Sequence, residues 1–190
     1  MLSDATLRTA AEAVPHPTYF DRLKEAMQMV AQHPRAIFLG QAVEYNGTGM
    51  SASFEGVPKD KLLELPVMEE CQLGMSLGLA LDGYLPVSVY PRWNFLLCAC
   101  NQLVNHLDAI PRYSKFRPKV IIRTASGSST PLNPGPQHLG DFSRAFRLML
   151  ETIDVVQLQD ASLIVPAYER ALADDRSTIL VEYPDRYGDR

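Results

Sequence analysis

The chain has 190 residues, 46% hydrophobic and 21% charged, enough to bury the core of one α/β unit and without the low-hydrophobicity signature of disorder. A formal net charge of −4, with its 18 Lys and Arg residues scattered, gives no footprint for a phosphate backbone and argues against nucleic acid as a partner. No apolar run approaches the roughly 20 residues needed to cross a bilayer, and the N-terminal MLSDATLRTAAEAVPHP lacks an apolar signal core, so a cytoplasmic protein without membrane contact is expected.

Residues 1–190 are expected to form a single domain, with 1–16 as an N-terminal tail. A helix over Thr18–Gln32 comes first, with Pro17 just inside its start and His33-Pro34 stopping it. A strand at Ala36–Leu39 follows, then a Gly- and Ser-rich polar loop over Gly40–Asp60. The next strand, Leu62–Val67, runs into a helix over Glu69–Leu81 that ends at Asp82-Gly83, where Gly83 suits a left-handed cap. That helix is apolar or small almost all round and is expected to be buried. Gly74 and Gly78 share one of its faces, and close approach of a backbone there, from a second chain or from the chain's own sheet, would offset their weak helix propensity.

Strands at Val87–Tyr90, Lys119–Thr124, Asp154–Leu158 and Thr178–Glu182 alternate with helices over Phe95–Ile110, Leu139–Leu150 and Ile164–Ala173. Such alternation predicts a Rossmann-like parallel sheet flanked by helices on both faces. Ala125–Gln137, a Gly/Ser/Pro loop after a buried strand, lies where such sheets frame their ligand crevice. The odd cysteine count argues against a disulfide framework. Cys71, Cys98 and Cys100 sit in apolar helical stretches and read as core thiols, with no metal site expected.

Glu69 is delivered where a strand meets a helix. Alone, it would be an ordinary first-turn acid favoured by the helix dipole. It is followed, however, by a second ordered segment, Pro86–Phe95, and by helical residues carrying Gln102 and Asn105.

Together, LPVMEECQLGMSLGLALDGYLPVSVYPRWNF and CNQLVNH resemble the beta subunit of thiamine-dependent 2-oxo acid dehydrogenases and the matching domain of transketolases. Arg123, Gly127 and the pair Gln137-His138 fall at the family's later motifs, as does the closing strand Thr178–Tyr183, so the likeness runs over about residues 36–188. It implies the thiamine-diphosphate-binding fold, with thiamine diphosphate as cofactor. Glu69 would be the carboxyl group that shares a proton with the aminopyrimidine ring, a form that a largely apolar pocket favours. Phe95 would stack on that ring, with Val67, Pro91 and Gln137 beside it, and Tyr90 and Trp93 could line the pocket or belong to the core. His138 would face the reacting carbonyl as a catalytic donor.

Departures from the family pattern are Gln41, where an acid is usual, and Leu65, Glu70, Cys71 and Pro91. The G-D-G…N segment that holds Mg²⁺ and diphosphate in this superfamily does not occur in residues 1–190, nor does the family's C-terminal domain. The resemblance therefore implies an alpha-type partner chain carrying Mg²⁺ and the diphosphate, in a heterotetramer with a self-associating beta pair. Decarboxylation of a 2-oxo acid with transfer of the fragment is the leading expectation. A transketolase-like or carboligase system, and a non-catalytic assembly subunit, are the alternatives.

Overall fold

The computed structural model describes residues 17–188 except Asn46, so the expected tail at 1–16 lies outside the described residues. Helices α1 (Tyr19–Ala31), α2 (Gly49–Ala52), α3 (Glu69–Leu81), α4 (Trp93–Leu97), α5 (Ile110–Tyr113), α6 (Ser143–Met149) and α7 (Ala161–Ala173) surround six strands. The strands are β1 (Ala36–Gly40), β2 (Leu62–Glu64), β3 (Leu85–Val89), β4 (Ile121–Ala125), β5 (Ile153–Gln157) and β6 (Ser177–Glu182). All neighbours pair in parallel, in the order β2-β1-β3-β4-β6-β5. The predicted parallel sheet with helices on both faces is what the chain forms.

Strand alternation divides the core into two layers. Phe38, Val87, Val89, Ile121 and Leu180 pack with Leu23, Met27 and Val30 of α1 and with Ile164 and Tyr168 of α7. Their sequence neighbours Ile122, Ile179 and Val181 face the other way, against Leu73 of α3, Trp93, Leu96, Leu103 and Phe146. Each central strand thus sends apolar residues to one or both core layers, with Ser88, Arg123 and Glu182 as buried polar exceptions.

Several boundaries differ from expectation for local reasons. α1 begins after Thr18, whose side chain accepts from the Asp21 N–H at 3.1 Å while Asp21 accepts from the Thr18 N–H at 3.0 Å. This capping box puts Pro17 outside the helix rather than within it. β2 stops at Glu64 because Pro66 has no N–H to donate; Leu65 still gives one bond to Gly40 O at 2.9 Å. The helix expected over Phe95–Ile110 is broken into α4, a π-helical segment at Gln102–Leu107 and α5. α6 is shorter than predicted, with His138 in a separate 3₁₀ turn at Pro136–His138, whereas α7 starts earlier because Asp160 caps Ser162 N–H at 2.9 Å. The polar loop after β1 contains α2.

The expectation that α3 is buried is corrected. Only Glu69, Gln72, Leu73 and Ser76 are buried, while Cys71, Met75, Gly78 and Leu81 are exposed. A Cβ added at Gly78 would meet nothing within 4 Å, and one at Gly74 would touch only the Gln102 side chain, at 3.5 Å. Neither glycine packs against the chain's own sheet. The thiols follow the same correction: Cys71 and Cys98 are exposed and Cys100 is half-buried.

Candidate functional site

The strand order changes direction between β1 and β3. From β1 the chain moves outward to β2, then crosses back to place β3 on the other side of β1. At such a switch point the connections diverge and open a crevice beyond the carboxyl ends of the strands. Gln41 leaves β1 here, Tyr90 and Pro91 leave β3, and α3 begins with Glu69.

α3 is fastened at its buried side by Gln72. Its Nε2 donates to Val89 O at 2.9 Å and to Ser88 Oγ at 3.1 Å, tying the helix to the end of β3. Ser88 sits between Val87 and Val89 on the face opposite theirs, so strand alternation aims its hydroxyl at α3. Glu70 fastens the exposed side, accepting from Asn101 Nδ2 at 2.6 Å and Gln102 Nε2 at 3.2 Å. Between these two anchors Glu69 is 8% exposed, and the hydrogen bond its carboxylate accepts is from Gln41 Nε2 at 3.3 Å. Sequence reasoning missed Gln72; its signal was a long polar side chain inside a helix whose sequence is mostly apolar or small.

Beside α3 lies an open cleft of about 690 Å³, lined by Met68, Glu69, Cys71, Gly74, Met75 and Cys98 among others. Its chemistry is two carboxylates, Glu69 and Glu70, on a mostly apolar, sulfur-rich floor, and of the two Glu70 is taken up by Asn101 and Gln102. Among the described residues no cluster of three or more His, Cys, Asp or Glu side chains is placed to hold a metal.

Phe95 and His138 come together across the adjacent loop, with ring centroids 5.3 Å apart and planes 15° from parallel. Phe95 is half-buried on α4, and the His138 Nδ1 is buried without a partner among the described residues. Gly127, just past β4, makes this meeting possible. Its N–H donates to Gly140 O at 3.2 Å, and a Cβ there would overlap the backbone of Leu139. Gly127→Ala is therefore expected to destabilise the fold by about 1–3 kcal/mol through overpacking. It should also shift His138 off Phe95, read as loss of the ring-current shift on the His138 protons in NMR.

The remaining expected site residues are placed less centrally. Trp93 and Tyr90 are wholly buried, Trp93 stacked on Phe146 at 4.9 Å, so both belong to the core beneath the cleft rather than to its wall. Tyr90 still supports the site, its hydroxyl donating to the Glu69 carbonyl at 3.4 Å. Pro91 is half-buried, Val67 is 74% exposed, and Gln137 is exposed without a side-chain hydrogen bond among the described residues. Among the described residues no helix is long and apolar enough to cross a membrane.

No family model matches the chain. Its sequence is similar to proteins named pyruvate dehydrogenase E1 component subunit beta. The one from Gracilaria tenuistipitata var. liui is 29% identical over 126 residues, covering 63% of this chain and 38% of that protein. The mitochondrial one from Caenorhabditis elegans is 25% identical over 186 residues, covering 95% of this chain and 52% of that protein. The chain thus spans about half, or less, of the length of these relatives. Among solved structures it resembles a split-gene transketolase described as an inactive beta4 tetramer, with a TM-score of 0.62 at 16% identity over 89% of this chain and 52% of that one. With its six-stranded parallel sheet, the chain shares the fold of that transketolase over the matched region.

Proposed function

We propose that this chain is the beta-type subunit of a split thiamine-diphosphate-dependent enzyme, in which an alpha-type partner supplies Mg²⁺ and the diphosphate site. The observation that carries the reading is the buried Glu69 carboxylate at the switch point, with the stacked Phe95 and His138 across the neighbouring loop. The donor set fits an aminopyrimidine, which asks for one carboxyl group and a flat apolar face, and does not fit a metal. When bound, the cofactor supplies a nucleophilic carbon and an electron sink for cleavage next to a carbonyl.

Within this chain, Glu69 holds a proton at the pyrimidine ring nitrogen. Low exposure and a single amide donor keep water from competing for it. Phe95 offers its face to the ring. His138 donates to the oxygen of the reacting carbonyl. Because the sequence relatives are named pyruvate dehydrogenase E1 beta subunits, a 2-oxo acid is the favoured substrate, its acyl or aldehyde fragment being passed to an acceptor. The fold likeness to a split transketolase favours a sugar-cleaving second reading. That neighbour is described as an inactive assembly of beta chains alone, in keeping with half a site per chain.

The test is reconstitution with the chain encoded beside it, assayed for carbon dioxide release that requires thiamine diphosphate and Mg²⁺. Release from 2-oxo acids supports the first reading, whereas ketol transfer between sugars without carbon dioxide supports the second. Thiol accessibility locates the partner independently. In the chain alone Cys71 and Cys98 are expected to react readily with an aromatic disulfide reagent, and Cys100 slowly, since burial pushes its thiol up. An active pair should protect Cys71 and Cys98, and full reactivity in it would place the partner away from α3.

A further inference from the structure

The turn that follows β1 is fixed from three sides. Gly40 has φ 145°, and a Cβ there would overlap the Val89 carbonyl and stand 2.9 Å from Gln72 Nε2. Ala42 adopts the left-handed region at φ 58°, which a side chain rarely takes without support. That support is Glu64, at the end of β2. Its carboxylate accepts the N–H groups of Ala42 and Val43 at 2.8 Å each, Glu44 at 2.7 Å and Tyr45 at 3.4 Å. Successive backbone N–H groups aimed at one point form a nest for an anion, and here the chain supplies the anion itself. Burial works to raise the Glu64 carboxyl, but the four donors prevail and hold it below the ordinary carboxylate range. The turn so held delivers Gln41, whose Nε2 donates to Glu69 Oε1 at 3.3 Å.

We propose that Glu64 and Gln41 form a positioning relay that orients the Glu69 carboxyl group, occupying Oε1 and leaving Oε2 for a ligand. The inference rests on the role proposed above for Glu69. It also gives a reason for the amide at position 41. An acid there would have to share a proton with Glu69 or repel it, whereas the amide offers a donor at any pH.

The test reads Gln41 directly, in the ¹⁵N-labelled chain without cofactor or partner. Its side-chain amide resonance, assigned by its loss in Gln41→Glu, is expected to move in Glu69→Gln and in Glu64→Gln but not in Glu70→Gln. Should Glu64→Gln fail to fold, Glu64→Asp keeps the charge, shortens the reach and should shift the same resonance. A Gln41 amide that stays in place in a folded Glu64 variant overturns the relay. In the reconstituted enzyme Gln41→Leu should lower kcat on the order of 10- to 100-fold at unchanged KM, as expected for a misplaced catalytic group. A change confined to KM overturns the relay. Coupled resonances without turnover in any pair keep the relay and remove the thiamine reading; turnover with uncoupled resonances does the reverse.

Discussion

Glu69→Gln is expected to reduce thiamine-diphosphate-dependent turnover of the reconstituted enzyme by about 10²–10⁴-fold, the range of a positioned acid–base group. The substitution keeps the size of the side chain and its place at the start of α3, so the fold should survive. Loss of a first-turn negative charge costs helix α3 only about 0.3–1 kcal/mol. The amide cannot exchange a proton at the ring nitrogen, which is the function assigned to the carboxyl. Glu70→Gln is the matched control. Its carboxylate is occupied by Asn101 and Gln102, 2.6 and 3.2 Å away, and serves to fasten α3. That variant should lose attachment energy rather than chemistry, with turnover changed by only a small factor. Steady-state kinetics on the two variants beside wild type give the comparison, and equal turnover in all three would remove Glu69 from the mechanism.

The contrast between these neighbouring acids also marks how far the sequence could be read. The alternation of apolar runs with longer amphipathic stretches was enough for the strands and the parallel sheet, because strands buried on both faces are mostly apolar and so stand out from the helices between them. Glu69, Phe95 and His138 were expected at the site from their spacing in a family pattern; the structure places Phe95 against His138 through a glycine crossing that motif spacing does not encode. The second-layer residues were not legible. Gln72 and Glu64 act by hydrogen bonds to backbone groups distant in sequence, and nothing in their own neighbourhood announces those partners.

The exposed side of α3 failed for a different reason. An apolar helix reads as buried, yet sequence does not say which molecule buries it, and here Cys71, Met75 and Leu81 remain uncovered by the chain itself. Trp93 and Tyr90 were ambiguous in the same sense. Aromatic residues beside a site can line it or support it, and the stacking of Trp93 on Phe146 decides for support.

Arg123 shows the limit of motif matching most clearly, and it carries the second large expected effect. It falls at a family motif, but its side chain is completely buried in β4 beneath the site. Its Nε and Nη2 both bond the Glu182 carboxylate on neighbouring β6, the latter at 3.0 Å, and its guanidinium lies 5.0 Å from the centre of the Phe54 ring. Tyr187 donates its hydroxyl to the same carboxylate. Arg123→Met would leave Glu182 buried and facing one hydroxyl, and breaking such a pair typically costs about 3–5 kcal/mol. For a domain of this size that corresponds to a fall in Tm of roughly 6–20 °C. Replacing both partners, Arg123→Met with Glu182→Leu, removes the stranded charge as well as the pair, and apolar substitutes for buried ion pairs are often neutral or stabilising. The double variant should therefore recover most of the loss, as measured by thermal and urea unfolding of the isolated chain. Recovery would assign Arg123 to the scaffold, whereas a double variant as unstable as the single one would show that the loss does not come from a stranded Glu182 charge but from the groups left around it, the Tyr187 hydroxyl among them.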